Sequence, residues 1–130
     1  MKFIKSLLAF ATIFSMNSSN AEVILEAWPE IKNYHNLMTK SFKSAQKGDF
    51  IPIKSHANFL FENAEKLSIE NMPQNFRLPK TIEALVRLKR ESKHIKELVE
   101  KKASNKEIFE TLKSIHHTFK TMSDLCCQKR

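Results

Sequence analysis

The sequence has little glycine and cysteine, and it has no catalytic motif. It contains one Gly, four Pro and two Cys in 130 residues. A Gly-rich phosphate loop is therefore absent, and no nucleophile-plus-base motif or paired carboxylates on an apolar face take its place. The two cysteines, Cys126 and Cys127, are adjacent, which excludes a framework of spaced disulfides. Alternation of apolar and polar residues, the pattern of strands, does not occur either. These absences predict a helical protein that is not an enzyme.

Residues 1–21 have the three parts of a cleavable secretory signal. Lys2 and Lys5 make its start positive, residues 6–16 form an apolar run of eleven residues, and Ser19 and Ala21 are small residues suited to cleavage. The run is too short to cross a bilayer, which favours cleavage over an uncleaved anchor. No later stretch is apolar enough for a membrane helix. We therefore expect an exported protein, periplasmic or secreted, with no integral membrane segment after cleavage.

The remaining residues, 22–130, are enough for one domain with a core and too few for two. The signal contains two of the 22 basic residues and none of the 14 acidic ones, so the charge of residues 22–130 is 20 − 14 = +6. Export argues against nucleic acid as the partner of this basic chain. The positive charge then indicates a solvated surface or contact with anionic components of the cell envelope.

Apolar residues recur every three or four positions in four segments, which predicts four amphipathic helices. The first runs from Pro29 to about Lys47, the second starts near Pro52, and the third spans about Thr81 to Lys102. A Ser104–Glu107 capping box opens the fourth. Residues 68–80 form a crossover without periodicity. The predicted stripes are Ile31, His35, Met38, Phe42 and Ala45; Ile53, Ala57, Leu60, Ala64 and Leu67; Ile82, Leu85, Leu88, Ser92, Ile95 and Val99; and Ile108, Leu112, Ile115, Phe119, Met122 and Cys126. Two short loops and one longer connection favour an all-α, up-down-up-down four-helix bundle.

Side chains that can bind a metal recur on or beside the first and last of these stripes. They are His35 and Met38 in the first helix, and His116, Met122 and Cys126 in the last, where His116 lies with Phe109 on the line beside the stripe. With a rise of about 1.5 Å per residue, antiparallel helices place Met38 level with His116, and His35 level with Met122. Imidazole, thioether and thiolate together suit copper, and a His/Met pair also suits haem iron. We therefore predict a copper-like ion or noncovalent haem b between these helices.

The alternative is a non-catalytic interaction or structural bundle without a cofactor, in which the same side chains only fill the core. His56 and His94 lie beside their stripes, and we expect them at the surface. His117 points about 100° away from His116 and is the weaker candidate of that pair. Adjacent cysteines diverge by about 100° on a helix, so a bridge between them would be strained. We expect Cys126 to face inward and Cys127 outward. A reduced thiol, a metal ligand and an intermolecular bridge that makes a homodimer all stay open.

The last helix resembles the end of cytochrome c prime proteins, which are exported four-helix bundles. Those proteins end with C-x-x-C-H-x-x-[FY]-[RK]. Residues 112–120 match at the axial-ligand histidine (His116), the aromatic residue (Phe119) and the basic residue (Lys120). The two haem-attaching cysteines are replaced by Leu112 and Ile115, which excludes covalent haem.

A broader resemblance covers nearly all of residues 22–130. The patterns W-P-x-I-x-x-Y-H-x-x-M at 28–38, G-D-F-x-P-I-K at 48–54 and H-x-x-F-x-x-x-x-x-x-C at 116–126, with Phe42, resemble an uncharacterised group of exported bacterial helical proteins. In that group the positions of Lys43 and Lys120 are often histidine. The resemblance therefore implies a metal site that is reduced or missing in this chain.

Overall fold

The computed structural model describes residues 22–126, which are helical and contain no strand. A short helix covers residues 22–27, and a 3₁₀ turn covers Gln74–Phe76. The four longer helices in this part of the chain are α1 (Pro29–Gln46), α2 (Ile51–Glu65), α3 (Pro79–Glu100) and α4 (Asn105–Cys126). The all-helical prediction is thus confirmed for the described residues. The predicted signal at 1–21 and Cys127 lie outside them.

Local sequence explains where these helices begin. Pro29, Pro52 and Pro79 lie in the first two positions of α1, α2 and α3, where proline loses no hydrogen bond and its fixed φ suits the helix. At the start of α4, Ser104 Oγ accepts the backbone N–H of Glu107 at 3.1 Å and donates to the Glu107 carboxylate at 3.3 Å. The predicted capping pair is therefore present.

Helices α1 and α3 end in the same hydrogen-bond pattern. After α1, Gly48 N–H donates to Ala45 O and Asp49 N–H to Ser44 O, with Gly48 at a φ of 88°. After α3, Lys102 N–H donates to Val99 O and Ala103 N–H to Leu98 O, with Lys102 at a φ of 59°. Both ends are Schellman motifs, which need a residue in the left-handed region. Gly48 occupies that position after α1, and Lys102 occupies it after α3.

The long helices pack in a closed order, α1 on α2, α2 on α3, α3 on α4 and α4 on α1. The α3–α4 pairing is the most extensive and the α1–α4 pairing the least. Glu91 on α3 strengthens the α3–α4 pairing, because its carboxylate accepts hydrogen bonds from two hydroxyls of α4, that of Thr118, at 2.8 Å, and that of Ser114.

The core-facing side of α1 is rotated from the predicted one by about 45°, less than half of the roughly 100° between successive residues. Its buried residues are Ile31, Tyr34, Met38, Ser41 and Ala45. His35 and Phe42, predicted on the stripe, are only half-buried on its flank. Periodicity alone does not distinguish the predicted set of core residues from the observed set, because the residues of both sets recur every three or four positions. Their place on the flank puts both rings at the junction with α4.

The start of the described chain is anchored to the crossover between α2 and α3. Ile24 and Trp28 are fully buried, although the sequence predicted no helix before Pro29. Trp28 Nε1 donates to Asn71 Oδ1 at 2.8 Å. Asn71 also accepts the N–H of Ser68 at 3.2 Å and donates through Nδ2 to Lys66 O at 2.7 Å. The crossover predicted as irregular is therefore an ordered part of the core, and it also buries Met72 and Phe76.

Among residues 22–126, no helix combines the length and the hydropathy that a bilayer span requires.

Candidate functional site

A row of aromatic and imidazole rings lies where α1 meets α4. His35 is 4.8 Å from Phe119, and His116 stacks on Phe42 at 4.5 Å, measured between ring centroids. Phe42 also stacks on Phe109 at 6.0 Å. We call these five residues, His35 and Phe42 of α1 with Phe109, His116 and Phe119 of α4, the histidine seam. Both histidines of the predicted site thus contact aromatic rings at this junction, in two separate sets: His35 with Phe119, and His116 with Phe42.

Helical spacing explains the row. His35 and Phe42 are seven residues apart on α1, as are Phe109 and His116 on α4, so each pair recurs on one side of its helix. Four of the five side chains are half-buried and Phe119 is buried. Bulky rings at this position fit the limited contact between α1 and α4. The seam is the place where a ligand between these helices would meet side chains able to bind it.

One ring nitrogen of His35 is buried and makes no hydrogen bond of standard geometry among the described residues. His35 Nε2 lies 3.2 Å from Thr39 Oγ1, one helical turn along α1. Nδ1 of the same ring is buried and makes no hydrogen bond within residues 22–126. When Nε2 carries the proton and donates it to Thr39, Nδ1 presents a lone pair. A hydrogen bond to the other nitrogen is also how proteins orient a metal-binding imidazole.

Both seam histidines favour the neutral form. The pKa of His35 is lowered, chiefly by burial; the nearby Asn36 side chain acts in the opposite direction, and the charges of His116 and Lys43 lower the pKa further. Burial also lowers the pKa of His116, with added effects of His117 and Lys120. Each imidazole is therefore mainly neutral at pH 7, the form that binds metals. The effect of His116 on His35 also means that the two rings are close enough to interact electrostatically.

The other predicted ligands lie in different surroundings. Met38 and Met122 are core residues, 1% and 0% exposed, and Cys126 is half-buried at the end of α4. Within residues 22–126, no three side chains drawn from His, Cys, Asp and Glu converge as a metal-binding group. Of the predicted ligands, the thioethers of Met38 and Met122 and the thiol of Cys126 would have to complete any site that the two imidazoles begin.

Sequence analysis did not foresee the contacts of the two imidazoles with Phe42 and Phe119. The signal was present, because residues 35 and 42 share a side of α1, as 109 and 116 share a side of α4. It also did not assign Tyr34 to the core, where this residue is fully buried. His56 and His94 are exposed, as predicted, and His117 is exposed as well.

No protein-family model, no curated protein and no solved structure matches this chain.

Proposed function

We propose that residues 22–130 form an exported four-helix bundle that binds a transition metal ion, copper-like, or noncovalent haem between α1 and α4. His35 and His116 are the principal ligands, and Met38, Met122 and Cys126 are secondary ones. The observation that carries this proposal is the buried Nδ1 of His35, which makes no hydrogen bond within residues 22–126. A buried polar atom without a partner costs free energy, and a ligand that bonds to it would remove that cost.

Two observations support the wider parts of the proposal. The closed order of helix neighbours, with α4 returning to α1, is the order of an antiparallel bundle with short connections. The basic, apolar and small-residue parts of residues 1–21 support export.

Lys43 and Lys120 decide which ligand the seam favours. Their charges lower the pKa values of His35 and His116 respectively, so both lysines act on the imidazoles. Coulomb repulsion grows in proportion to the charge of the ion, so the lysines disfavour a divalent ion more than a monovalent one. Cu(I) is monovalent, and it accepts imidazole and thioether ligands. In haem binding, the same ammonium groups would attract the propionates.

The test is a titration of the purified protein with Cu(I), Cu(II) and Zn(II) against a chromophoric competitor, and with haem followed by its absorption spectrum. We expect submicromolar binding of Cu(I) or haem. His35→Ala and His116→Ala should each weaken it at least about tenfold, or 1.4 kcal/mol, because each deletes a ligand bond. Binding should also raise the melting temperature, because the ligand binds only the folded state.

His117→Ala is the matched control, because His117 is the exposed neighbour of His116 in the same helix. It should bind the ligand as the unmodified protein does. If neither copper nor haem binds, or if His117→Ala weakens binding as much as His116→Ala, the proposed site is wrong.

The second candidate is a non-catalytic interaction bundle without a cofactor. The exposure of large apolar side chains outside the seam favours it, with Ile51 73% and Val86 54% exposed. In that case Met38 and Met122 only pack in the core. Neither metal nor haem would then change the melting temperature.

A further inference from the structure

A groove of about 420 Å³ runs between α1 and α2. Its polar lining consists of Asn33, Asn36 and Lys40 from α1 and Asn63 and Lys66 from α2; Leu37 and Phe59 are its apolar residues. We call it the α1–α2 groove. Its volume falls in the range of small-molecule sites. The seam and the groove are on different sides of α1, because residues 33, 37 and 40 recur at helical spacing about half a turn away from residues 35 and 42.

The charged side chains that line the groove are all positive. Two of its seven lining residues are lysines, and no carboxylate lines it among the described residues. Helices α1 and α2 are joined by only four residues, 47–50, and pack on each other, so they are antiparallel. Lys40 and Lys66 therefore lie toward opposite ends of the groove. With residues 46 and 51 at the same level, Lys66 is level with residue 31, nine residues from Lys40, or about 13–14 Å along the helix axes. This arrangement suits a ligand with negative charge at more than one point.

The uncharged groups suit hydroxyls and a flat apolar face. Phe59 is 53% exposed, so its ring is available for stacking. Asn63 is only 8% exposed, and its Nδ2 donates to Phe59 O at 2.9 Å, which fixes the amide group. Asn63 Oδ1 accepts no hydrogen bond from the described residues, so it remains able to accept one from a ligand hydroxyl. Amides beside an aromatic ring provide the hydrogen bonds and the CH-stacking surface that a sugar ring uses.

A peptide fits these features less well. An amphipathic helix needs several apolar anchors in its groove, and this groove offers only Leu37 and Phe59. An extended peptide needs a strand edge, and residues 22–126 contain no strand. We propose that the α1–α2 groove binds an acidic oligosaccharide, with its carboxylates toward Lys40 and Lys66 and a sugar ring on Phe59.

The test is a calorimetric and NMR titration of the purified protein with three probes: tetragalacturonate, the neutral cellotetraose and the peptide tetraglutamate. We expect tetragalacturonate to bind most tightly, with amide shifts confined to α1 and α2. Phe59→Ala should weaken this binding about threefold to tenfold through lost stacking. Lys40→Ala and Lys66→Ala should each weaken it about twofold to fivefold, and added salt should reduce their effect.

Lys54→Ala and Val86→Ala are the matched controls, since each removes an exposed side chain of the same kind outside the groove. Both should leave the affinity unchanged, and melting curves should show that every variant is folded. The proposal is overturned if tetragalacturonate does not bind, if either comparison probe binds as tightly, or if Phe59→Ala has no more effect than Val86→Ala. The His116→Ala variant should lose copper binding but still bind tetragalacturonate, so the two proposed sites can be tested independently of each other.

Discussion

The hydroxyl of Tyr34 lies 2.6 Å from Oγ of Ser92, in a buried hydrogen bond between α1 and α3, which are not neighbours in the packing order. Ser92 donates its own proton to Leu88 O at 2.8 Å, so the Tyr34 hydroxyl is the donor of the bond between them. Burial raises the pKa of Tyr34, which keeps that proton in place. The bond fixes the position of two opposite helices through the core.

The first prediction is that Ser92→Ala costs more stability than Tyr34→Phe. Tyr34→Phe removes one hydrogen bond and should lower the free energy of unfolding by about 0.5–1.5 kcal/mol. Ser92→Ala leaves the buried Tyr34 hydroxyl without an acceptor and should cost about 1–3 kcal/mol. The double variant should be more stable than the sum of both losses indicates. Urea unfolding of all four proteins measures this, and additive losses would contradict the direct bond.

The second prediction concerns the double substitution of His35 and His116 to leucine. It should leave the free energy of unfolding unchanged or raise it by about 1 kcal/mol, because apolar groups replace a buried nitrogen without a partner. The same variant should lose copper and haem binding while its helical circular dichroism is retained. A large loss of stability would mean that the imidazoles hold the seam together through bonds of their own.

The third prediction is a loss of stability in mild acid. The pKa values of His35 and His116 are below their usual value of 6.5, so the folded protein binds fewer protons than the unfolded chain. Above about pH 6.5 these two histidines do not change the free energy of unfolding. As the pH falls through 6.5 toward the folded pKa values, they lower it progressively. Urea midpoints between pH 8 and 5 measure the slope. His35→Leu should reduce it, and the exposed His94→Leu control should keep it.

Asn71→Ala provides the fourth prediction. It removes the acceptor of the fully buried Trp28 Nε1 and should lower the free energy of unfolding by about 1–3 kcal/mol. Asn58→Ala is the control, because it removes only an exposed bond to Glu62 and should cost under about 0.5 kcal/mol. Trp28 is the only tryptophan, so its fluorescence reports the local change directly. Equal losses in the two variants would count against a specific anchor.

The two Schellman motifs supply the fifth prediction. Gly48→Ala forces a side chain into the left-handed region and should cost about 1 kcal/mol, although nothing lies within 4 Å of the added Cβ. Lys102→Gly relieves the same conformation after α3 and should stabilise by a few tenths of a kcal/mol to about 1 kcal/mol. Thermal unfolding compares them. Shifts of the same sign in both variants would contradict the backbone explanation.

The sequence predicted the number and approximate limits of the long helices in residues 22–126, because proline, glycine and the capping pair mark their ends. It did not predict which side of α1 faces the core. Tyr34 and Ser41 are polar enough to be read as surface residues, yet both are buried. The buried hydroxyl of Tyr34 is hydrogen-bonded to Ser92, 58 positions away. The sequence around Tyr34 gives no information about so distant a partner.

The candidate site was predicted in part. The spacing rules placed His116 level with Met38 and His35 level with Met122, whereas in the structure the ring contacts across the junction are those of His35 with Phe119 and of His116 with Phe42. The part that was missed was the rotation of α1 about its axis. That rotation places His35 at the flank, while Met38 and Met122 are in the core. Rotation depends on the packing of all four helices, which no single stripe determines.

The bond between Trp28 and Asn71 joins residues 43 positions apart and has a consequence for the order of folding. A chain is made from its N-terminus, so Trp28 appears well before the side chain that satisfies its indole N–H. Until residue 71 is available, the indole N–H of Trp28 lacks the acceptor that it has in the folded structure. The bond that anchors Trp28 therefore forms only after the α2–α3 crossover has been made.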